Sequence, residues 1–117
     1  MSHIVGTMDG VVIETVGELE ILMGEVIERL KLTEVGKCFH QFEPIGATGV
    51  IILAESHFSA HTYPEFKNIY FDLFCCTPYF SERCTEAALC IKEIFKAQNI
   101  KWEKIDRIPK VQHHSYA

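Results

Sequence analysis

The chain has 117 residues, of which 48% are hydrophobic and 23% charged, with a net charge of -5. That length suits one domain over residues 1–117 with a modest core, and the acidic balance excludes a general nucleic-acid binder, which needs a basic patch. No apolar run approaches the ~20 residues of a membrane helix, and the start Met1-Ser2-His3-Ile4-Val5-Gly6 lacks the basic and apolar stretches of a signal peptide; no membrane partner and a cytoplasmic location are therefore expected.

Residues 3–13 read as a strand, with Val11-Val12-Ile13 as its apolar end. Thr15 is placed to cap a helix over residues 16–31. Val16, Leu19, Met23, Val26, Ile27 and Leu30 follow helical spacing, and Glu18, Glu20, Glu25 and Glu28 form a solvated back. A short strand follows around 38–42. The run Val50-Ile51-Ile52-Leu53-Ala54 is short and rich in β-branched residues, the pattern of a buried strand. His61-Thr62-Tyr63 and Ile69–Cys75 are two further strands. Ser81 is the expected cap of a second helix reaching Ala97, with Cys84, Ala87, Ala88, Ile91, Ile94 and Phe95 as its buried stripe. Residues 101–108 form a last strand, and Pro109 opens an aperiodic tail. Two helices on one face of a largely antiparallel sheet make a two-layer α+β sandwich.

The five cysteines are an odd number without a C-x-x-C pair, which argues against both a disulfide framework and a structural zinc site. His57 and His61 have the four-residue spacing that pairs metal ligands on a helix. Pro64 and the strand context remove that reading, so no metal is expected.

The stretch Ala54-Glu55-Ser56-His57-Phe58-Ser59-Ala60-His61-Thr62-Tyr63-Pro64-Glu65 crowds a serine, two histidines and two carboxylates directly after a buried strand. Taken singly, each has an ordinary structural role: a turn serine, packed histidines, a surface glutamate. Their combination resembles the self-processing site of the short, prokaryotic-type S-adenosylmethionine decarboxylases, Glu-Ser-His-(apolar)-Ser-x-His-Thr-(aromatic)-Pro-Glu. The likeness extends upstream through Phe39-His40-Gln41-Phe42-x-Pro44-x-Gly46-x-Thr48-Gly49-Val50 and downstream through Asp72-Leu73-Phe74-Cys75-Cys76.

The resemblance implies a fold, a cofactor and a reaction. Removing the carboxyl of an α-amino acid leaves electrons that no ordinary side chain accepts, so a carbonyl sink is needed. The family makes one from its own chain, as a pyruvoyl group, and Ser56 is the matching residue of this sequence. Ser56 Oγ attacks the Glu55 carbonyl, and the chain divides into 1–55 and 56–117. Thr48 stands where the family has a serine that stabilises the tetrahedral intermediate. His61 stands where it has the base that takes the Ser56 α-proton, and Cys76 where it has the general acid of decarboxylation. Phe42 matches an aromatic that stacks on adenine and Glu65 a carboxylate that holds the ribose hydroxyls; Tyr63 is a second aromatic wall. Cys38, Cys84 and Cys90 are assigned to the core. Thr77-Pro78 and Cys75 replace the family's residues near Cys76, which keeps ornithine or arginine as alternative substrates. A non-processing binding homologue is a third reading, opposed by the joint presence of Ser56, His61 and Cys76. Family relatives are symmetric dimers, so a homodimer of processed protomers is expected.

Overall fold

The structure, a computed structural model, describes residues 1–76 and 80–107. Pro78, the end of the last expected strand and the tail from residue 108 lie outside the described residues.

Among the described residues, six strands and two α-helices follow one another along the chain. They are β1 (Ser2–Asp9), α1 (Val16–Arg29), β2 (Glu34–Gln41), β3 (Ala47–Leu53), β4 (Ser56–Tyr63), β5 (Asn68–Cys75), α2 (Cys84–Phe95) and β6 (Asn99–Asp106). The strands form one sheet in the order β2-β3-β4-β5-β1-β6, antiparallel at every described pairing. The expected α+β sandwich is the observed one.

α1 begins where the sequence placed it. Thr15 Oγ1 accepts from the Glu18 N–H at 3.2 Å and donates to Glu18 Oε1 at 3.1 Å. This reciprocal cap satisfies backbone donors that a helix start leaves open. Leu19, Met23, Val26 and Ile27 are buried on its inner face. α2 buries Cys84, Ala87, Ala88, Cys90, Ile91, Ile94 and Phe95. Its cap is Arg83 rather than Ser81, because Phe80–Glu82 forms a separate 3-10 turn ahead of it.

Two strand boundaries differ from expectation for physical reasons. β1 stops at Asp9, since Gly10 adopts φ 73° and turns the chain before Val11. Val11 and Ile13 are buried all the same, as core residues of the connection to α1. β2 is longer than its sequence signal because it is an edge strand, with Val35, Lys37, Cys38 and His40 exposed. None of its eight residues is buried, so it carries little hydrophobic alternation to read.

The helices cover one face of the sheet, and the other lies open. In β4, Phe58, Ala60 and Thr62 are buried against the helical layer, while His57, Ser59, His61 and Tyr63 are partly exposed. β5 alternates likewise: Ile69, Phe71, Leu73 and Cys75 point in, and Tyr70, Asp72 and Phe74 point out. Phe58 and Leu73 are fully buried register partners. Burial of each side chain contributes about 1.5–3 kcal/mol. A one-residue slip would reverse both faces, so this apolar pair also keeps the reactive side chains on the open face.

Candidate active site

The bond between Glu55 and Ser56 lies at a tight hairpin. Ala54 and Glu55 form the turn between β3 and β4, and Ser56 is the first residue of β4. The turn is tied down on both sides. Ala54 N–H donates to the Thr33 carbonyl at 2.8 Å, and Thr33 N–H donates to Glu55 Oε1 at 3.1 Å. The Glu55 carbonyl accepts from the Cys76 N–H at 2.9 Å. A backbone donor aimed at that oxygen polarises the carbonyl and can stabilise negative charge on it. Ser56 has φ 157°, an angle that residues with a side chain rarely adopt. Such conformations cost on the order of 1–3 kcal/mol, which raises the energy of the peptide next to the hydroxyl.

The open face beside Ser56 carries a charge cluster. Ser56 Oγ lies 3.4 Å from His57 Nδ1, and His57 Nε2 lies 2.9 Å from Asp72 Oδ2. Asp72 also receives hydrogen bonds from Ser59 Oγ and, at 2.7 Å, from His3 Nε2. Behind His3, Arg107 Nη1 lies 3.1 Å from its Nδ1. Burial alone would raise the Asp72 pKa, but bonds from Ser59, His3 and His57 outweigh it and hold the carboxyl below its ordinary value. Ligand atoms of His3, His57 and Asp72 lie within 4.8 Å of one another. The Arg107 guanidinium and the donors already on Asp72 make this a satisfied hydrogen-bond network rather than a set of open metal ligands.

The sign of the Asp72 shift has a consequence for stability. A carboxyl whose pKa is lowered by folding contributes stability above its unfolded value, here near the ordinary 3.8, and loses it as pH falls through the folded value. In a non-cleaving Ser56→Ala background, Asp72→Asn should melt lower than its parent at pH 5. The gap should narrow steadily below pH 4.

A second group of predicted residues sits at the other end of β4. Thr48 and His61 are register partners, with Oγ1 and Nδ1 at 2.5 Å. The His61 ring lies 5.5 Å from that of Phe42 and 4.5 Å from that of Tyr63. Phe42, Pro44, Gly46, His61, Tyr63 and Glu65 help line a cleft of about 540 Å³, within the size range of small-molecule sites. Gln41 braces two residues of this cleft's wall, Phe42 and Gly46. Its Nε2 donates to the carbonyls of Glu14, Phe42 and Gly46 at 3.0 Å, and its Oε1 accepts from Val16 N–H at 2.8 Å. One side chain thus ties the loop after β2 to the start of α1.

Five residues of extended strand separate Ser56 from His61. At roughly 3.3 Å per residue that is about 16 Å. Within one chain, therefore, the structure joins Ser56 with Glu55 and Cys76, and Thr48 with His61, Phe42, Tyr63 and the Glu65 side of the cleft. It does not bring the two groups together.

A family model described as S-adenosylmethionine decarboxylase matches residues 2–108. The chain belongs to the S-adenosylmethionine decarboxylase family. An S-adenosylmethionine decarboxylase proenzyme of Archaeoglobus fulgidus is 33% identical over 108 residues, covering 90% of this chain and 95% of that one. A protein of the same name from Picrophilus torridus is 30% identical over 108 residues, covering 90% and 82%. The crystal structure of an adenosylmethionine decarboxylase from Aquifex aeolicus is similar with a TM-score of 0.79 and 28% identity, covering 97% of this chain and 96% of that one. The resemblance read from the motifs thus extends to fold and to nearly the full chain.

One cysteine lies elsewhere than its sequence context implies, and the site includes polar partners that the motifs do not single out. No disulfide joins the cysteines. Cys84 and Cys90 are buried as expected, and burial pushes both thiols up. Cys38 is exposed instead, because its strand is the sheet edge and no layer covers it. Cys75 is buried and Cys76 exposed, as alternation requires. Asp72, His3 and Gln41 had no role assigned. Asp72 and Gln41 stand inside the motifs that carry the resemblance, whereas His3 is distant in sequence and had no signal.

Proposed function

We propose that this chain is a cytoplasmic, self-processing decarboxylase of S-adenosylmethionine, forming its pyruvoyl group at Ser56 and supplying an aminopropyl donor for polyamine synthesis. The observation that carries the reading is the Glu55 carbonyl, held at 2.9 Å by the Cys76 N–H with the Ser56 hydroxyl next in the chain.

Processing uses the chain's own groups. Ser56 Oγ bonds to the Glu55 carbonyl carbon, the C–N bond breaks, and the amide becomes an ester. His61 of a second copy of the chain takes the Ser56 α-proton, and the Oγ–Cβ bond breaks to leave Glu55 as a carboxylate. Water then releases ammonia from the new terminus of the 56–117 chain. The pyruvoyl group so formed supplies the electron sink for decarboxylation. Cys76 Sγ holds a proton for the α-carbon that carbon dioxide leaves. Phe42 and Tyr63 offer aromatic faces to a purine and a sulfonium, and the Glu65 carboxylate accepts from a ribose diol.

Separation of the two residue groups supports a homodimer. A two-fold axis lets the Ser56 end of one protomer meet the His61 end of the other. The open face carries Val5, Ile52, Tyr70 and Ile105 at 40–52% exposure, apolar surface that a second copy covers.

Carbon dioxide release from carboxyl-labelled substrate tests the reaction. S-adenosylmethionine should turn over, with free ornithine and arginine inert. Glu65→Ala should raise KM about tenfold or more, since one or two lost hydrogen bonds to a charged group cost roughly 1.5–3 kcal/mol each. Turnover of ornithine or arginine alone would overturn the substrate assignment.

A further inference from the structure

We infer that His57 is the base that accepts the Ser56 Oγ proton in the first processing step, with Asp72 holding its imidazole in the required tautomer. The inference rests on the self-cleavage reading above and adds a base for the step that precedes His61.

Proton placement follows along the network. Arg107 can only donate, so His3 Nδ1 accepts from it and the His3 proton sits on Nε2, directed at Asp72 Oδ2 at 2.7 Å. His57 Nε2 also faces that oxygen, at 2.9 Å. With Asp72 ionised, this nitrogen carries a proton and donates. The remaining nitrogen, Nδ1, is left with a lone pair, 3.4 Å from Ser56 Oγ. Ser56 therefore donates to His57, and the hydroxyl oxygen keeps its lone pairs for attack. The arrangement repeats the logic of a serine, a histidine and an orienting carboxylate.

Ionisation of Asp72 is secured by its partners. Hydrogen bonds from Ser59, His3 and His57 outweigh the burial that would otherwise favour the neutral acid. Opposite the nucleophile, Cys76 N–H faces the Glu55 carbonyl oxygen. Nucleophile, base and oxyanion donor thus belong to one uncleaved chain, whereas His61 lies about 16 Å along the same strand. In the step, an O–C bond forms between Ser56 and Glu55 and the C–N bond breaks. The proton passes from Oγ to His57 Nδ1 and then to the departing Ser56 nitrogen. The step is an isomerisation and needs no added reagent.

Hydroxylamine splits an ester and spares ordinary amides, so it reports chains that have completed this step. Wild type, His57→Asn and His61→Ala chains are followed by intact mass with and without it. Wild type should divide at Glu55/Ser56 unaided, and His61→Ala only with hydroxylamine. His57→Asn should form ester at least about 100-fold more slowly, the usual effect of losing a general base. Added imidazole should restore ester formation in His57→Gly, a rescue that a misfolded chain cannot give. In uncleaved Ser56→Ala protein, imidazole nitrogen NMR should place the His57 proton on Nε2, and Asp72→Asn should move it; an unmoved proton would remove Asp72 from the inference. Ester formation by His57→Asn at the wild-type rate overturns the role of His57 alone. A wild-type chain that never divides overturns the self-cleavage reading itself.

Discussion

Ser56→Ala should remain one 13.4 kDa chain and release no carbon dioxide from S-adenosylmethionine. The substitution deletes the only atom that can turn the Glu55–Ser56 amide into an ester, so no later step has a starting point. It should leave the fold intact. Ser56 is only part-buried, its strand is anchored by Phe58 and Ala60, and its backbone bonds are kept. A surface-type change of this kind shifts stability by about 0.5 kcal/mol or less. Loss of cleavage with an unchanged melting temperature would therefore report chemistry. The remaining devices around the bond are too weak to act alone. The φ of 157° stores on the order of 1–3 kcal/mol, and one oxyanion donor is worth about 2.7–4 kcal/mol. Both lower a barrier only when a nucleophile is present. Intact mass of freshly purified protein, set against wild type showing 1–55 and 56–117 fragments, checks the result; fragments from Ser56→Ala would mean another residue starts the reaction.

Co-expression of Ser56→Ala with His61→Ala should restore cleavage that neither shows by itself. The expectation comes from the roughly 16 Å between Ser56 and His61 along β4. A proton cannot cross that distance between two side chains, so a base at His61 must reach the Ser56 of another copy. In a mixed two-fold dimer, one site then joins the intact Ser56 of the His61→Ala chain to the intact His61 of its partner. The other site carries both defects. Random pairing makes about half of all dimers mixed, each with one working site. Only the His61→Ala chain should be divided, and decarboxylation should return with it. The readout is the mass of each chain, distinguishable by a tag. Absence of fragments in mixed dimers shown to form would place the α-proton base elsewhere in the same chain.

Much of the site was legible along the chain because its chemistry is local. Glu55, Ser56, His57 and His61 lie within seven residues, Thr48 is on the preceding strand and Phe42 just ahead of it. Alternation within β4 predicts which of them share a face. Helical spacing and Thr15 placed α1 correctly, since capping and the apolar stripe depend on neighbours three and four residues away. Edge strand β2 is longer than its sequence signal for the opposite reason: none of its residues is buried, so no burial imposes a pattern.

Residue types and their spacing therefore determined the family and the two-layer fold, and they point to the Glu55–Ser56 bond as the one to be cut. The tertiary structure alone decided how those residues divide between two ends of a strand and which groups surround Ser56. Asp72 meets His3 across 69 residues of sequence and His57 across 15, through the pairing of β5 with β1 and β4. Cys76 N–H reaches the Glu55 carbonyl because Ser56 and Cys75 are register partners. Register between distant strands is set by which apolar faces fit together in the core, and the pattern within any one strand does not contain it.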